Sequence, residues 1–386
     1  MAAPAFVRDA DPLAVANDGV LPTDVLYDVL LRVPAKALCR FRLVCRAWRA
    51  LTSDPRFAGE HSSRRPLFAG HTFRSSEIHL VDMHSGDIVK RIDDHALGGL
   101  VLPGFDLCTN AGLVCGSANT TSGAQQTVVL DPATGVIDVL PDGGRPDAGG
   151  SPCIVGHVPS TGLYKVLRVA LSMTPAGTAE QSFDVMTLGR SGERWRATPC
   201  PPYNVLSEFR YMAAVGGVAY FVACRYDDVV EPGSLALFDL ATEEWRPTIL
   251  LVPLTNGSSL TEERRPSSMG YGHIQIAGLN GCLVAIHHRE VRSMDLWFLE
   301  DVDKEIWTKR YSMRFAPQWE KTDNYPPYPL VVSDDGRVIM WIEMEFVLSA
   351  YDPRTSRWED VATVDAYVDI RMHEGSLLLC SSGVWS

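Results

Sequence analysis

Apolar positions from Leu21 onward follow a helical spacing. Because a residue before proline disfavours the helical region, Val33–Pro34 ends a first helix. Its apolar side chains fall within about 140° of one face at about 100° per residue: Val25, Leu26, Val29, Leu30 and Val33. A second helical stretch has apolar positions at three- and four-residue steps: Leu38, Phe41, Cys45, Trp48 and Leu51.

Beyond about residue 65, the chain changes to short apolar runs separated by Gly, Pro, Asp and Asn. One element recurs: an apolar strand, an aspartate, a turn and a second strand. The aspartate explains the turn, since its side chain accepts hydrogen bonds from the backbone just downstream. A tryptophan such as Trp245 or Trp358 then returns to cover the sheet. Clear copies turn at Asp82, Asp131, Asp239 and Asp352, and looser copies begin at Ser182 and Asp295.

A second element, a glycine followed by small apolar residues, alternates with these hairpins. Equivalent units recur at roughly 40–65 residues, the range of propeller blades. We therefore expect an all-β propeller of six blades, with seven as the alternative, and these narrow strands should form its inner ring. The copies begin at Gly112, Gly216, Gly281, Gly336 and Gly375, with a further member near Cys153.

The strands expected at 67–92 have no inner partner of their own in this scheme. The last expected inner strand lies near Leu377, far along the chain. We expect it to complete the first blade, because that closure leaves no open sheet edge.

Four longer segments interrupt the repeat, at 140–152, 172–182, 253–270 and 316–329. Loops held by a rigid scaffold are where recognition usually occurs, although insertions of this length are also tolerated without a role. The candidate contact residues are the aromatic Trp319, Tyr325 and Tyr328, which lie among prolines, and Arg264 and Arg265, which suit a phosphate.

Charge is distributed unevenly. The whole chain carries −12, whereas residues 20–60 contain seven basic and four acidic side chains. An acidic chain argues against binding to nucleic-acid backbones. The basic first segment favours an acidic partner.

No catalytic or metal-binding pattern occurs in the sequence. The nine cysteines are scattered without a C-x-x-C pair, which predicts neither a disulfide framework nor a zinc site. The adjacent His287 and His288 would point to opposite faces of a strand. We expect no cofactor, no metal and no enzymatic activity.

The sequence contains no pattern typical of a secretory signal or a membrane span. Residues 1–19 are rich in Ala, Asp and Pro, which predicts a disordered tail rather than a secretory signal. No run of 18 apolar residues occurs. We expect a cytoplasmic or nuclear protein that does not bind membranes.

The first segment resembles an F-box. That motif has a Leu-Pro pair, a helix, a second proline-bearing turn and an "RF-x-x-V-C-[KR]-x-W" run. Here these are Leu21–Pro22, Val25–Val33, Val33–Pro34 and "RFRLVCRAW" from Arg40. The usual second Leu-Pro is Val-Pro in this chain. "SDPRF" from Ser53 is similar to the tail of the motif in plant members.

The remaining chain is similar to the propeller of plant F-box proteins. "CTNAGLVCGS" from Cys108 resembles an early "NGLLC" element, and "VGHVPSTGLYKVLRV" from Val155 resembles their "YKVVR" element, with His157 and Pro159 as departures. The expected organisation is an all-α F-box over residues 20–60 and an all-β propeller over 65–386.

The resemblance implies an adaptor rather than an enzyme. The F-box would bind the Skp-type subunit of a cullin–RING (SCF-type) ubiquitin ligase, and propeller loops would hold an unknown target protein. The alternative is an interaction scaffold, or a module for a small ligand or glycan, without ligase recruitment. By matching position, the residues implied to meet the Skp-type subunit are Leu21, Pro22, Val25, Leu26, Leu30 and Pro34. The residues implied to pack the motif and extend that interface are Leu38, Phe41, Val44, Cys45 and Trp48. The sequence leaves open which of the two roles each residue has.

Overall fold

A computed structural model describes most of the chain, and the structural statements below concern those residues alone. The described residues are 23–72, 77–93, 107–119, 125–141, 152–173, 179–189, 192–224, 231–254, 274–290, 292–316, 319 and 326–378. The predicted disordered tail, at 1–19, lies outside them.

Four short helices precede the sheets. The first ends before Val33–Pro34, as predicted, but the second predicted stretch is divided into two helices. The Cys45 thiol accepts a hydrogen bond from the Trp48 amide at 3.4 Å and so begins a new helix. The Asp54 carboxylate accepts from the Arg56 amide at 2.7 Å and begins another, which starts with Pro55. The helices are α1 (Thr23–Leu31), α2 (Ala35–Phe41), α3 (Arg46–Thr52) and α4 (Pro55–Arg64).

The strands form six antiparallel sheets, each one blade of a propeller. Blade 1 contains β1 (Leu67–Thr72), β2 (Ile78–Asp82), β3 (Ile88–Ile92) and the late strand β25 (Tyr367–His373). Blade 2 contains β4 (Cys108–Asn110), β5 (Leu113–Asn119), β6 (Gln125–Asp131) and β7 (Val136–Val139). Blade 3 contains β8 (Cys153–Val158), β9 (Leu163–Met173), β10 (Ala179–Thr187) and β11 (Arg196–Thr198).

The other three blades repeat this arrangement. Blade 4 contains β12 (Met212–Val215), β13 (Val218–Val222), β14 (Ser234–Asp239), β15 (Glu244–Trp245) and β16 (Leu250–Leu251). Blade 5 contains β17 (Ile274–Leu279), β18 (Cys282–Glu290), β19 (Ser293–Asp301) and β20 (Ile306–Arg314). Blade 6 contains β21 (Tyr328–Val332), β22 (Val338–Ile342), β23 (Val347–Asp352) and β24 (Arg357–Thr363).

The six-bladed prediction and its closure are both confirmed. The ring of inner strands is β25, β4, β8, β12, β17 and β21, each in contact with the next. β25 pairs with β1 antiparallel, from Leu67 opposite His373 to Thr72 opposite Tyr367. A strand from late in the chain therefore completes the first blade.

The inner strand predicted near Cys153 is confirmed as β8, whereas the inner strands predicted at Gly112, Gly216, Gly281 and Gly336 were wrong by one strand. The strands that follow Gly112, Gly217 and Gly281 are second in their blades, and the true inner strands lie just before them. The glycines belong to the connecting turns, where Gly112 and Gly217 adopt φ of 91° and 85°. The last inner strand ends at His373, before the predicted position near Leu377.

The recurrent aspartates form the predicted turns. Asp131 Oδ1 accepts from the Ala133 amide at 2.9 Å, and Asp239 Oδ1 accepts from the Ala241 amide at 2.8 Å. On the returning strand, Trp245 Nε1 donates to the Pro199 carbonyl at 2.7 Å, so it connects blade 4 to blade 3.

The propeller has two faces, and the direction of each strand shows on which face it starts and on which it ends. The turn face carries the short turns between first and second strands, such as Ala111–Gly112, and also α4, which leads directly into β1. The loop face is opposite. All four predicted recognition segments connect strands whose ends lie on the loop face: β7 with β8, β9 with β10, β16 with β17, and β20 with β21. The helices and the strand ends that flank these segments are therefore on opposite sides of the propeller.

Candidate functional site

The four helices form a small module with its own apolar core, which we call the helical module (residues 23–65). Tyr27 meets Phe57 edge to face, with ring centroids 5.2 Å apart, and Phe41 meets Trp48 in the same way at 5.1 Å. The buried side chains of this core are Leu26, Leu30, Leu31, Ala35, Leu38, Phe57 and Ala58, joined by Leu378 from beyond the propeller.

Four large apolar side chains of the helical module remain exposed. Val25 and Val29, one helical turn apart on α1, are 46% and 48% exposed. Leu43 and Val44, between α2 and α3, are 81% and 68% exposed. We call these four residues together the apolar patch. Large exposed apolar side chains are typical of surfaces that bind another protein, so these four are candidate contact residues.

The structure divides the residues implied at the partner surface into three groups. Val25, Pro34 and Val44 are exposed, whereas Phe41, Cys45 and Trp48 are half-buried. Leu26, Leu30 and Leu38 are buried and fill the core of the helical module, which is the packing role of the two roles that the sequence left open. Leu21 and Pro22 lie outside the described residues.

Ion pairs and hydrogen bonds hold α4 against α1. The Asp28 carboxylate accepts from Arg64 at 2.5 Å and from Arg32 at 2.7 Å. These bonds hold the pKa of the Asp28 carboxyl below its usual value, and the bond from Arg64 has the largest effect. His61 Nε2 donates to the Val33 carbonyl at 2.9 Å, and burial lowers the pKa of this imidazole. The imidazole is therefore neutral where it meets the α1–α2 turn.

A short segment after β25 fastens the helical module to the propeller. We call residues 374–378 the C-terminal strap. Leu378 is 1% exposed within the core of the helical module. Arg42 donates to the main-chain carbonyls of Leu378 and Thr52, and Ser62 donates to that of Gly375.

A salt bridge adds a second connection at the same face. The Arg65 guanidinium donates to Asp82 Oδ2 at 2.9 Å, which links the end of α4 to the β2–β3 turn. Asp82 is almost fully buried, so this pair is better shielded from solvent than a surface salt bridge. The helical module is thus held at two points rather than joined by a flexible linker.

The two predicted target contacts within the described residues are Trp319 and Tyr328, and both are buried. Trp319 and Tyr328 are each 4% exposed, so their assignment as target contacts is wrong. Trp319 packs edge to face on Trp358, with centroids 4.7 Å apart, and the Tyr328 hydroxyl donates to the Ile276 carbonyl at 3.0 Å. Tyr325, Arg264 and Arg265 lie outside the described residues.

Tyr328 instead belongs to a polar cluster at the loop-face end of the central channel. Arg210 and Arg371 stack on Phe209, with guanidinium carbons 5.1 and 4.3 Å from the ring centroid. Arg210 also pairs with Glu343 at 2.8 Å. Sequence reasoning missed this cluster, because its members lie on different blades and carry no local signal.

The aromatic residues considered for a glycan are also packing residues. Trp341 is 1% exposed, and Trp297 and Trp307 pack against a core cluster between blades 4 and 5. Within the described residues, no group of three or more His, Cys, Asp or Glu side chains is arranged to hold a metal ion. Nor does the described part of the chain contain a helix long and apolar enough to cross a membrane.

Comparison with protein families identifies both parts of the chain. An F-box domain model matches residues 20–58, and a model of the F-box associated beta propeller domain matches residues 97–375. The two matches follow the division between the helical module and the propeller.

Curated relatives from Arabidopsis thaliana are F-box proteins. F-box protein At1g30790 is 24% identical over 79% of this chain and 78% of its own length. F-box protein CPR1 is 24% identical over 83% of this chain and 79% of its own length. F-box protein At3g49450 is 28% identical over 54% of this chain, which spans only 55% of that relative.

Solved structures show weaker likeness. TolB from Acinetobacter baumannii has a TM-score of 0.41 at 10% identity, over 80% of this chain and 66% of its own. A chain of the nidogen/laminin complex has a TM-score of 0.40 at 10% identity, over 80% of this chain and 98% of its own. Since the propeller model alone matches well over half of the chain, this protein belongs to the plant-type family of F-box proteins with an F-box associated β-propeller domain.

Proposed function

We propose that this protein is the target-recognition subunit of an SCF-type cullin–RING ubiquitin ligase. In this proposal the helical module binds a Skp-type subunit and the propeller holds the target, without catalysing a reaction itself. The protein would act in the cytoplasm or the nucleus. The observation that carries the proposal is the apolar patch on a module that matches an F-box.

The geometry of α1 explains how one helix serves two surfaces. Leu26 and Leu30 point into the core, whereas Val25 and Val29, one position earlier and so about 100° around the helix, point outward. Burying a fully exposed valine side chain contributes about 1.5–3 kcal/mol, so covering the exposed half of each of these two valines contributes about half of that. In this proposal Leu43 and Val44 add further apolar area to the partner surface.

The target is proposed to bind at the loop face. The long connecting segments all start and end there, opposite the helical module. Because the C-terminal strap and the Arg65–Asp82 pair fix the module, a target bound at the loop face would be held at a defined distance from the Skp-type subunit.

A pulldown with a purified Skp-type subunit tests the adaptor proposal. We expect the double variant Val25→Asp, Val29→Asp to lose binding, since two carboxylates would be buried in an apolar interface. The matched control is Val136→Asp, Val139→Asp on β7, where the valines are 44% and 41% exposed but lie on the propeller. This control should bind like the unmodified protein.

Two outcomes would contradict the proposal: retained binding by the α1 variant, or no binding by the unmodified, folded protein. Leu26 and Leu30 are unsuitable for the same test. Both are buried in the core of the helical module, so aspartate at either position would unfold the module and remove binding for an unrelated reason.

A further inference from the structure

A wide cleft separates α4 from the turn face of the propeller. Its volume is about 1200 Å³. One wall is α4, through Pro55, Gly59 and Ser62, and the other is formed by turns of blades 1, 2 and 6 together with the C-terminal strap. Pockets for small molecules usually measure roughly 300–1,000 Å³, so this cleft has room for a stretch of polypeptide.

Among the charged side chains that line the cleft, the acidic ones outnumber the basic ones. Its described basic groups are the guanidinium groups of Arg64 and Arg337. Arg337 is engaged by two of the acids, at 2.6 and 3.2 Å, and Arg64 by Asp28 on α1. The carboxyl groups are those of Asp131, Asp334, Asp335, Glu359, Asp360 and Glu374. The negative groups therefore exceed the positive ones.

A buried histidine without a hydrogen-bond partner lies in the same lining. The His373 side chain is 4% exposed, and neither ring nitrogen is hydrogen-bonded to any described group. Burial lowers its pKa to about 4, so the ring is neutral at neutral pH and offers one nitrogen as an acceptor. Such a group, buried and unsatisfied, is expected to be completed by a donor that enters the cleft.

The remaining lining is apolar and suits long aliphatic side chains. Val331, Val332 and Val361 lie beside the acidic residues. Lysine and arginine bury their methylene stems against such a surface while their charged ends reach carboxylates. Burial also raises the pKa of Glu374, and a cation that enters the cleft would lower this pKa and so favour the charged carboxylate.

We propose that this cleft binds an extended, lysine- or arginine-bearing peptide segment of a partner protein. The proposal adds a second recognition surface to the loop face, on the side of the propeller that carries the helical module. It does not depend on binding to the Skp-type subunit, so the two ideas can fail separately.

Fluorescence anisotropy with the full-length protein tests this proposal. The probe is a fluorescein-labelled peptide that alternates lysine with valine, and the matched probe has glutamate in place of each lysine. We expect only the lysine peptide to bind, with an affinity that falls as salt is added. Equal binding of both peptides, or no binding of either, would overturn the proposal.

Two variants locate the binding. Asp334→Asn with Asp360→Asn removes two exposed carboxylates that form no ion pair within the described residues. Its dissociation constant should rise about 2- to 30-fold, the effect of losing two exposed charge pairs. The control, Glu244→Gln with Glu305→Gln, removes the same charge outside the cleft and should change little. Equal effects of the two pairs would refute binding in the cleft.

Gly59 gives a third, steric test. A Cβ atom added there meets nothing within 4 Å, and Gly59 lines the cleft from α4. Gly59→Arg should abolish binding of the lysine peptide by filling and neutralising the cleft, whereas Gly59→Ala should bind like the unmodified protein. Unchanged binding by Gly59→Arg would contradict the proposal. The pulldown with the Skp-type subunit should be unaffected by either change.

Discussion

Arg42 donates a hydrogen bond to the main-chain carbonyl of Leu378, a residue 336 positions later in the chain. The same guanidinium group also bonds the carbonyl and hydroxyl of Thr52, at 2.6 and 3.2 Å. One side chain therefore joins α2, the end of α3 and the C-terminal strap. The helical module is completed by a segment that follows the last strand of the propeller.

The first prediction concerns Leu378 itself. Leu378→Ala should lower the stability of the helical module by about 2–5 kcal/mol, because it leaves a cavity among Leu31, Leu38 and Phe57. Hydrogen exchange of the α1 and α4 amides, measured by mass spectrometry, gives the change in opening free energy. The matched control is Leu43→Ala at an 81% exposed position, which should change it by less than about 0.5 kcal/mol. Equal effects would show that the strap contributes nothing.

The second prediction concerns the contact between blades 3 and 4. Trp245 packs on Phe183, Phe221 and Phe238, with ring centroids 4.9–5.6 Å away. Trp245→Ala should cost about 3 kcal/mol in urea denaturation of the propeller. Trp245→Phe keeps a ring but loses the hydrogen bond to Pro199, so it should cost only about 1 kcal/mol. Identical losses in the two variants would contradict this division.

The third prediction is a dependence on pH. Burial lowers the pKa of His71 and of His373 to about 4, against about 6.5 in an unfolded chain. The unfolded state then binds more protons, so stability is fully present above pH 6.5 and falls as the pH drops towards 4. The loss is on the order of 3 kcal/mol per histidine.

Thermal unfolding at several pH values measures this dependence. His373→Gln should flatten the decline between pH 6.5 and 4 relative to the unmodified protein. The same slope in both proteins would show that His373 does not carry the effect.

The fourth prediction concerns thiol reactivity. Cys39 and Cys200 are exposed, whereas Cys108, Cys115 and Cys153 are buried. Burial raises the pKa of Cys108 to about 12 and that of Cys115 well above its usual value. Since the thiolate is the reactive form, iodoacetamide should label Cys39 and Cys200 first in the native protein. Mass spectrometry of the labelled peptides checks the order, and urea should remove the difference.

The features of the fold that could be predicted from the sequence are the aspartate turns and the closure of the first blade. The Asp131 and Asp239 turns depend on bonds between neighbours in the chain, and both form as expected. The closure of blade 1 also follows from local reasoning, since a first blade without an inner strand requires one from elsewhere.

Burial within the helical module was harder to predict. A single apolar face about 140° wide on α1 includes both Val25 and Leu26, but only Leu26 faces the core. Which part of the face is buried depends on Phe57 of α4 and on Leu378, and neither is near α1 in sequence. Trp319 was misassigned for a similar reason, because its partner Trp358 lies on a different strand of the next blade.

Synthesis of the chain imposes an order on these contacts. Ribosomes add about 5–20 residues per second, so Leu378 follows Arg42 by roughly 17–67 s. During that interval the four helices lack the leucine that fills their core, and β1 lacks β25 at its edge. The helical module therefore emerges before the propeller but reaches its final packing after it, and a nascent chain presents more apolar surface to chaperones than the finished protein does.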